Sequence, residues 1–188
     1  KNKNIQKFMG FSLEHISKLS GKRPLDWILD NAINGGMNDL FKAELLNANV
    51  KEVKKLLLHQ NSTIALSDAG AHQSLLCDAG YGLDLLGKWV REYKIMSIEE
   101  AIYSLTAKQA DICRIPKRGR LVPGHYADMI LFDPNSIGIS NSFRVGDLPD
   151  GSSRLSVKSK GIKKIWINGV PYDGENSPNG RVIKSFLS

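Results

Sequence analysis

The stretch TIALSDAGAH, residues 63–72, joins a short apolar run to an acidic residue and a turn. The run from Thr63 to Ser67 is bounded by polar residues. Its length and composition are typical of one strand buried on both faces of a parallel sheet. Asp68 follows the run directly, before Ala-Gly. The stretch therefore predicts a strand that ends at a carboxylate.

Helical patterns lie on both sides of this strand. The predicted helices begin at Ser12, Pro24, Asn49 and Ser97. Glu100 stands at the position that completes a capping box with Ser97. A further helical period runs from Leu83 to Tyr93, and a more polar pattern covers residues 38–46. Helices before and after a buried strand predict part of an α/β layer architecture.

Strand and turn patterns dominate beyond Pro116. Two apolar runs predict strands at residues 129–132 and 162–167, and Asn168-Gly169 after the second run is the strongest hairpin signal in the chain. Residues 182–183 predict a last strand. The segment 136–156 is rich in Gly, Ser, Asp and Pro, which predicts a long loop.

Composition and charge are those of an ordinary globular protein. The chain has 188 residues, 41% of them hydrophobic, and a formal net charge of +7. Because the basic residues are spread along the chain, we expect a solvated surface and no nucleic-acid partner. No run reaches transmembrane length, so no membrane partner is expected. Cys77 and Cys113 lie far apart, which fits a reducing, cytoplasmic location better than a disulfide framework.

The local pattern around Asp68 leaves two interpretations open. An aspartate before Ala-Gly is common as a helix cap or in an Asx turn, whereas a carboxylate at the end of a strand can serve in acid–base catalysis. Cys77 has no evident His or Asn partner, so a small buried apolar residue is the better interpretation. No two histidines have the spacing of a metal site; they are His15, His59, His72 and His125.

Four segments carry a resemblance to a known family. They are LSDAGAH (66–72), LCDAGYGLDLLGKWVRE (76–92), MSIEEAIYSLTAKQADICRIPKRGRLVPGHYADMILFDP (96–134) and IKKIWINGVPYDGENSPNGRVI (162–183). Together they resemble the C-terminal part of the amidohydrolase superfamily, and most closely the N-acyl-D-amino-acid deacylases, or D-aminoacylases. GRLVPGHYADMILFDP is shared by many superfamily members, whereas SDAGAH and CDAGYG point to the deacylase-like branch.

The resemblance implies an α/β fold in which a metal-dependent (β/α)8 barrel of the TIM type is followed by a small β-sandwich. Residues 1–115 would form the C-terminal segment of the barrel, with its eighth strand at residues 63–68. Residues 116–188 would belong to the sandwich. Because a complete barrel needs about 250 residues, and the chain begins without a methionine, we expect it to be the C-terminal piece of a longer protein. The missing N-terminal barrel portion would then be its partner.

The resemblance also implies a chemical role for Asp68, which matches the strand-eight aspartate of the family. That residue is the general acid/base and often contacts the metal as well. His72, four residues beyond Asp68, is a separate candidate from the residues alone: it could orient the substrate or Asp68, whereas a histidine at such a position is more often a hydrogen-bonded structural residue. The cofactor would be zinc, as one or two divalent ions, with the remaining ligands, including a His-x-His pair, upstream of this chain. The 188-residue chain alone is therefore expected to be inactive.

The function predicted from the sequence is hydrolysis of carbon–nitrogen bonds other than peptide bonds, in a small-molecule amide substrate. The resemblance favours conversion of N-acyl-D-amino acids to a carboxylate and a D-amino acid. Two alternatives stay open. One is a cyclic-amide hydrolase similar to dihydroorotase or hydantoinase, and the other is a non-catalytic binding or assembly module.

Overall fold

The computed structural model describes residues 3–35, 37, 41, 43, 46–65, 67–70, 72–174, 179–184 and 186. The chain divides into two compact units, Lys1–Ala48 and Asn49–Ser188. The predicted domain boundary after residue 115 stays a prediction. The predicted helical pattern at residues 38–46 lies largely outside the described residues.

The first unit is helical. Its helices are α1 (Lys3–Gln6), α2 (Leu13–Ser20) and α3 (Pro24–Gly35). The Ser12 side chain accepts a hydrogen bond from the backbone N–H of His15, and Gly21 ends α2 in the left-handed conformation with φ of 67°. These features confirm the predicted start and stop of α2. Trp27 of α3 is buried, and the Phe8 ring packs edge-on against it.

The second unit begins with α4 (Val50–Leu58), which Asn49 caps through bonds from the N–H groups of Lys51 and Glu52. Four more helical segments follow: α5 (Tyr81–Asp84), a π-helix (Leu85–Glu92), α6 (Ile98–Leu105) and α7 (Ala107–Ile112). The predicted capping box of α6 is confirmed. The Ser97 side chain accepts from the Glu100 N–H, and the Glu100 carboxylate accepts from the Ser97 N–H. The helical period predicted from Leu83 to Tyr93 is realised mostly as π-helix.

Seven short strands lie among the described residues of the second unit. They are β1 (Met129–Phe132), β2 (Gly138–Ile139), β3 (Phe143–Val145), β4 (Arg154–Ser156), β5 (Ser159–Lys160), β6 (Ile162–Ile167) and β7 (Val170–Pro171). They form three antiparallel sheets, with strand orders β1-β6-β7, β2-β5 and β3-β4. Asn168 and Gly169 both have positive φ, 51° and 82°, as a tight hairpin requires. The predicted strands at 129–132 and 162–167 and the hairpin after them are therefore confirmed.

The prediction of a long loop at residues 136–156 is wrong. Strands β2, β3 and β4 lie in this segment, and β3 pairs with β4 so that Val145 faces Arg154. Each strand has only two or three residues, too few for an alternating pattern to be visible in the sequence. The predicted strand at 182–183 is also wrong, since Val182 and Ile183 are described outside any strand.

The predicted strand at residues 63–68 does not form, since its described residues 63–65, 67 and 68 are outside any strand. Side chains of α7 bind the backbone here instead. Lys108 donates to the carbonyl oxygen of Ser62, and Gln109 Nε2 donates to that of Ile64 at 2.7 Å. A buried parallel strand needs neighbours on both edges, and every strand pair among the described residues is antiparallel. The observed architecture is mixed helix and sheet, and the closed barrel stays a prediction.

The core of the second unit brings the helices and β2 together. Its buried side chains are Leu85, Leu86, Ala101 and Ile137. The guanidinium of Arg91, in the π-helix, donates to the carbonyl oxygen of Ile137. The π-helix and the segment before β2 are thus joined by apolar packing and a hydrogen bond. Among the described residues, no helix is both long and apolar enough to cross a membrane.

Candidate functional site

Asp68 lies in an exposed turn that follows residues 63–67. Its φ is 54°, in the left-handed region that aspartate adopts more readily than most residues. The turn is closed locally, because the Ser67 hydroxyl oxygen accepts from the N–H of Ala69 at 3.2 Å. Within the described part of the chain, no hydrogen bond or ion pair engages the Asp68 carboxylate. That carboxylate therefore has its lone pairs available to a ligand or a water molecule.

A small pocket opens beside Asp68, with a volume of about 90 Å³. Its lining residues are Asp68, Ala69, Gly70, Gln73, Leu76, Cys77, Asp78, Ala79, Arg154 and Leu155. Most of them belong to the turn segment 68–79, and the last two come from β4. The pocket is smaller than the roughly 300–1,000 Å³ of typical small-molecule sites. It can therefore receive one chemical group of a ligand.

Strands β3 and β4, of which β4 lines the pocket, are joined to the turn segment 68–79 by two hydrogen bonds. The backbone N–H of Leu155 donates to the Gln73 carbonyl oxygen at 2.8 Å. Arg144 of β3 donates through Nη2 to the Ser74 carbonyl oxygen at 3.1 Å. The β3–β4 hairpin, residues 143–156, is thus part of the site.

Arg154 brings a positive charge to this pocket. Its Nε and Nη2 atoms donate to the two carboxylate oxygens of Asp147 at 2.8 and 2.7 Å. This paired hydrogen bond lowers the pKa of Asp147 and raises the pKa of Arg154 from their ordinary values. Such a fork-shaped contact also fixes the plane of the guanidinium.

Of the other residues considered from the sequence, Cys77 lies at the small pocket and His72 lies outside its lining. Cys77 lines the small pocket, together with the neighbouring Asp78. His72 is exposed, outside the pocket lining, and its carbonyl oxygen accepts from the N–H groups of Leu75 and Leu76. Its predicted role toward substrate stays a prediction. Arg154 was missed, because it lies in the segment predicted to be a loop. The turn signal Pro149-Asp150-Gly151, between two short apolar-containing runs, could have indicated the hairpin.

A larger pocket of about 840 Å³ lies elsewhere in the second unit. It is lined mainly by apolar side chains of α5, the π-helix, α6 and strands β1 and β6, among them Leu86, Leu105, Met129 and Ile165. Arg120 and Asp128 are the charged residues of its lining. Asp68 does not line it, but Ala79 lines both pockets, so the two pockets are neighbours.

The donor set of the described residues does not fit a complete zinc site. A catalytic zinc takes about three protein ligands. Among the described residues, no group of three or more His, Cys, Asp or Glu side chains is arranged to hold a metal ion. Asp68 offers one unengaged carboxylate. The chemistry derived below is therefore confined to this chain's own residues.

Comparison with curated proteins identifies relatives by sequence. The chain is 34% identical to an N-acyl-D-aspartate deacylase of Alcaligenes xylosoxydans over 95 residues, which are 50% of this chain and 17% of that protein. It is 26% identical to an N-acyl-D-glutamate deacylase of the same organism over 144 residues, 73% of this chain and 27% of that protein. It is also 32% identical to an uncharacterized protein of Mycobacterium tuberculosis over 69% of this chain and 22% of that protein.

Comparison with solved structures also finds deacylases. One is an N-acyl-D-glutamate deacylase of Bordetella bronchiseptica in complex with zinc and a phosphonate inhibitor, with 27% identity and a TM-score of 0.40 over 54% of this chain and 20% of that one. Another is a D-aminoacylase, with 21% identity and a TM-score of 0.46 over 92% of this chain and 35% of that one. No family model matches the chain.

The kinship rests on the sequences, because both TM-scores lie below 0.5. The matched segments make up 17% and 27% of the two deacylases from Alcaligenes, so the chain spans about a quarter or less of their length. Over that part, the resemblance predicted from LSDAGAH and the later segments is confirmed. The chain is related in sequence to the N-acyl-D-amino-acid deacylases, which are amidohydrolases.

Proposed function

We propose that the protein containing this chain hydrolyses the amide bond of N-acyl-D-amino acids, and that Asp68 moves the proton that the reaction requires. The observation that carries the proposal is the Asp68 carboxylate itself. It is exposed, lines a pocket, and is engaged by no other group within the described part of the chain. The sequence kinship with deacylases supports the choice of an amide as substrate.

The proposed chemistry at Asp68 has two proton transfers. The carboxylate first takes a proton from a water molecule, whose oxygen adds to the amide carbonyl carbon and gives a tetrahedral intermediate. The protonated Asp68 then returns this proton to the amide nitrogen. The carbon–nitrogen bond breaks, and the amino acid leaves with its amine, while the acyl group becomes a carboxylic acid. Asp68 is restored as a carboxylate.

Zinc is part of the proposal for the whole protein and follows from the resemblance. A bound zinc ion would polarise the amide carbonyl and acidify the attacking water. Asp68 could supply one ligand or none, and the other ligands would come from outside the described residues. The proposal for Asp68 is independent of the number of metal ions, because proton transfer to the leaving nitrogen is needed with one ion or two.

The test uses the natural gene product that carries this sequence, purified with added zinc. We expect hydrolysis of N-acetyl-D-amino acids in a screen that also includes the N-acetyl-L-amino acids, hydantoin and dihydroorotate. Turnover of the cyclic amides alone would favour the cyclic-amide hydrolase. Absence of turnover on every substrate would favour the binding or assembly module.

A substitution at the carboxylate tests its role in the same protein. Asp68→Asn keeps the shape of the side chain but removes its capacity to accept and return a proton. We expect kcat to fall by about 10²–10⁴-fold, the usual span for acid–base catalysis. Asp30→Asn is the matched control, because Asp30 lies on α3 and pairs with Lys22. This variant should leave kcat within a factor of about two. A kcat for Asp68→Asn near that of the wild type would remove Asp68 from the mechanism.

A further inference from the structure

The sequence contains the dipeptide Asn-Gly three times. The dipeptides are Asn34-Gly35, Asn168-Gly169 and Asn179-Gly180, and all six residues are among those described. Glycine has no side chain to shield its backbone nitrogen, so an asparagine before glycine loses its side-chain amide more readily than before other residues. In a folded protein, the rate of this loss depends on the groups that hold the two residues. These groups differ among the three dipeptides.

The loss of the amide is a spontaneous reaction that needs only water. The backbone nitrogen of the glycine gives up its proton and attacks Cγ of the asparagine. A new carbon–nitrogen bond closes a five-membered imide, and the side-chain nitrogen takes up a proton and leaves as ammonia. Water then opens the imide at one of its two carbonyl groups and gives aspartate or isoaspartate. Hydrogen bonds that hold the glycine N–H or the asparagine side chain therefore slow the reaction.

The dipeptide Asn168-Gly169, in the turn between β6 and β7, is held at both reacting groups. The Gly169 N–H donates to the carbonyl oxygen of Ala127 at 2.8 Å. Asn168 Oδ1 accepts from Nη2 of Arg118 at 3.0 Å, and Nδ2 donates to the carbonyl oxygen of Asn179. If the Gly169 nitrogen lost its proton, its lone pair would face the Ala127 oxygen. Ring closure thus requires that these bonds open first.

The backbone of Asn168 is fixed by the same charged groups. Its N–H donates to Oδ1 of Asp128 at 2.8 Å, and Asp128 pairs with Arg118. We call these two charged residues the Arg118–Asp128 network. Hydrogen bonds to charged groups are stronger than those between neutral groups. The Arg118 side chain is only 17% exposed, so water competes poorly for its N–H groups.

The dipeptide Asn179-Gly180 has the opposite surroundings. It lies outside any helix or strand, and Gly180 is exposed. Within the described part of the chain, no hydrogen bond engages the side chain of Asn179 or the N–H of Gly180. A Cβ atom built on Gly180 would have no described atom within 4 Å. Asn168 contacts only the backbone carbonyl of Asn179, which leaves both reacting groups accessible to water.

The dipeptide Asn34-Gly35 is an intermediate case. It lies at the end of α3 (Pro24–Gly35), and Nδ2 of Asn34 donates to the carbonyl oxygen of Asp30 at 2.7 Å. The helical backbone holds the following nitrogen at a dihedral angle that does not allow the imide to close. The last turn must therefore unwind before the reaction. Helix ends unwind more readily than a structure held by charged groups.

We propose that Asn179 is a site of spontaneous deamidation in the folded protein, and that the Arg118–Asp128 network protects Asn168 from the same reaction. The three asparagines react in the order Asn179, Asn34, Asn168. Isoaspartate at residue 179 lengthens the main chain by one methylene group and adds one negative charge. This modification is independent of the function proposed for Asp68.

The test follows the three dipeptides in the natural gene product in mildly alkaline buffer. Trypsin and a glutamate-specific protease separate the peptides of Asn168 and Asn179 at Glu175, and mass spectrometry with chromatography distinguishes asparagine, aspartate and isoaspartate. The same protein unfolded in urea gives the reference rate of each dipeptide. Folded Asn179 should react within about threefold of its reference rate, because an exposed segment opens at almost no free-energy cost.

The protected dipeptide should behave differently in the same experiment. Folded Asn168 should react at least about 100-fold more slowly than its reference rate, because two hydrogen bonds to charged groups must open first. The rate at Asn34 should lie between those at the other two asparagines. Equal protection of Asn168 and Asn179, whether both react fast or both slowly, would overturn the proposal.

Substitution of Arg118 tests the source of the protection. Arg118→Met removes the bond to Asn168 Oδ1 and should raise the rate at Asn168 by about 10-fold, with the rate at Asn179 unchanged. Arg118→Lys keeps the charge and should retain part of the protection. Arg23→Met is the matched control, because Arg23 makes a two-bond contact with Asp26 in the other unit. An equal rate at Asn168 in Arg118→Met and Arg23→Met would remove Arg118 from the protection.

Substitution of Gly180 tests the attacking group at the reactive dipeptide. Gly180→Ala places a methyl group beside the nitrogen, where no described atom lies within 4 Å to clash with it. Circular dichroism of this variant should match that of the wild type. The variant should lose most of the isoaspartate at residue 179. Undiminished isoaspartate there would overturn ring closure by the Gly180 nitrogen.

Discussion

A methyl group added at Gly87 tests how closely the π-helix packs against the segment before β2. A Cβ atom at this buried position would lie 2.8 Å from the carbonyl oxygen of Ile137 and 3.0 Å from Cα of Gly138. Both are backbone atoms, so rotation of a side chain cannot relieve the contact. Overpacking of this kind destabilises a protein by about 1–3 kcal/mol. The higher helix propensity of alanine than of glycine offsets about 1 kcal/mol of this at most. With the full offset, we expect Gly87→Ala to lower the free energy of unfolding by up to about 2 kcal/mol.

Gly82 provides the matched control for this substitution. It lies in α5, where a Cβ atom would be 3.6 Å from Cδ2 of Leu105, an ordinary van der Waals distance. Gly82→Ala should therefore raise the free energy of unfolding by about 0.5–1 kcal/mol. Urea unfolding of both variants, followed by circular dichroism, measures the two changes, and the slope of the transition should stay constant. A midpoint for Gly87→Ala at or above that for Gly82→Ala would refute the close packing inferred for Gly87.

Two further predictions concern capping and charge. Ser97→Ala removes the bond to the Glu100 N–H at 3.1 Å, so the free energy of unfolding should fall by about 1 kcal/mol. The pKa of Glu100 is lowered mainly by the backbone N–H of Ser97 and further by the Ser97 hydroxyl. Because the variant keeps the N–H and loses only the hydroxyl, this pKa should rise only part of the way toward its ordinary value in an NMR titration. An unchanged pKa would contradict this. Burial raises the pKa of Asp84, so this group contributes stability below its unfolded-state pKa and loses it as the pH rises through the higher folded-state pKa. Asp84→Asn should reduce the fall in the free energy of unfolding between about pH 4 and pH 7, measured from the urea midpoints at the two pH values. An equally large fall in the variant would exclude Asp84 as its source.

Features that depend on neighbouring residues in the sequence were predicted well. The caps at Ser12 and Ser97 accept hydrogen bonds from backbone N–H groups within the next few residues. Serine is a preferred N-cap residue, so the sequence predicts both helix starts. The hairpin at Asn168-Gly169 needs two residues with positive φ, and Asn-Gly is the pair that accepts them most easily. In each case the energetic reason for the structure is local.

Features that depend on distant partners were predicted badly. The run at residues 63–67 has the composition of a buried strand, but Gln109, 45 residues later, binds its Ile64 carbonyl, and Lys108 binds the carbonyl of Ser62 just before it. Strands β3 and β4 are each too short to show a pattern, and their pairing depends on a turn at residues 149–151. The position of Asp68 as a candidate was found by resemblance. Arg154 was missed because nothing in its own neighbourhood links it to Asp68.

Hydrogen bonds between residues distant in sequence also hold the candidate site together. Residues 63–65, 67 and 68 pair with no strand among the described residues, so the geometry of the turn at Asp68 is set from both ends by groups that come later in the chain. Gln109 binds the Ile64 carbonyl on one side, and the Leu155 N–H binds the Gln73 carbonyl on the other. The entropic cost of closing a loop rises only slowly with the length of the loop. Contacts between residues distant in sequence can therefore position a functional group. A residue that acts only by holding the turn, such as Gln109, should therefore affect turnover of every substrate to the same extent.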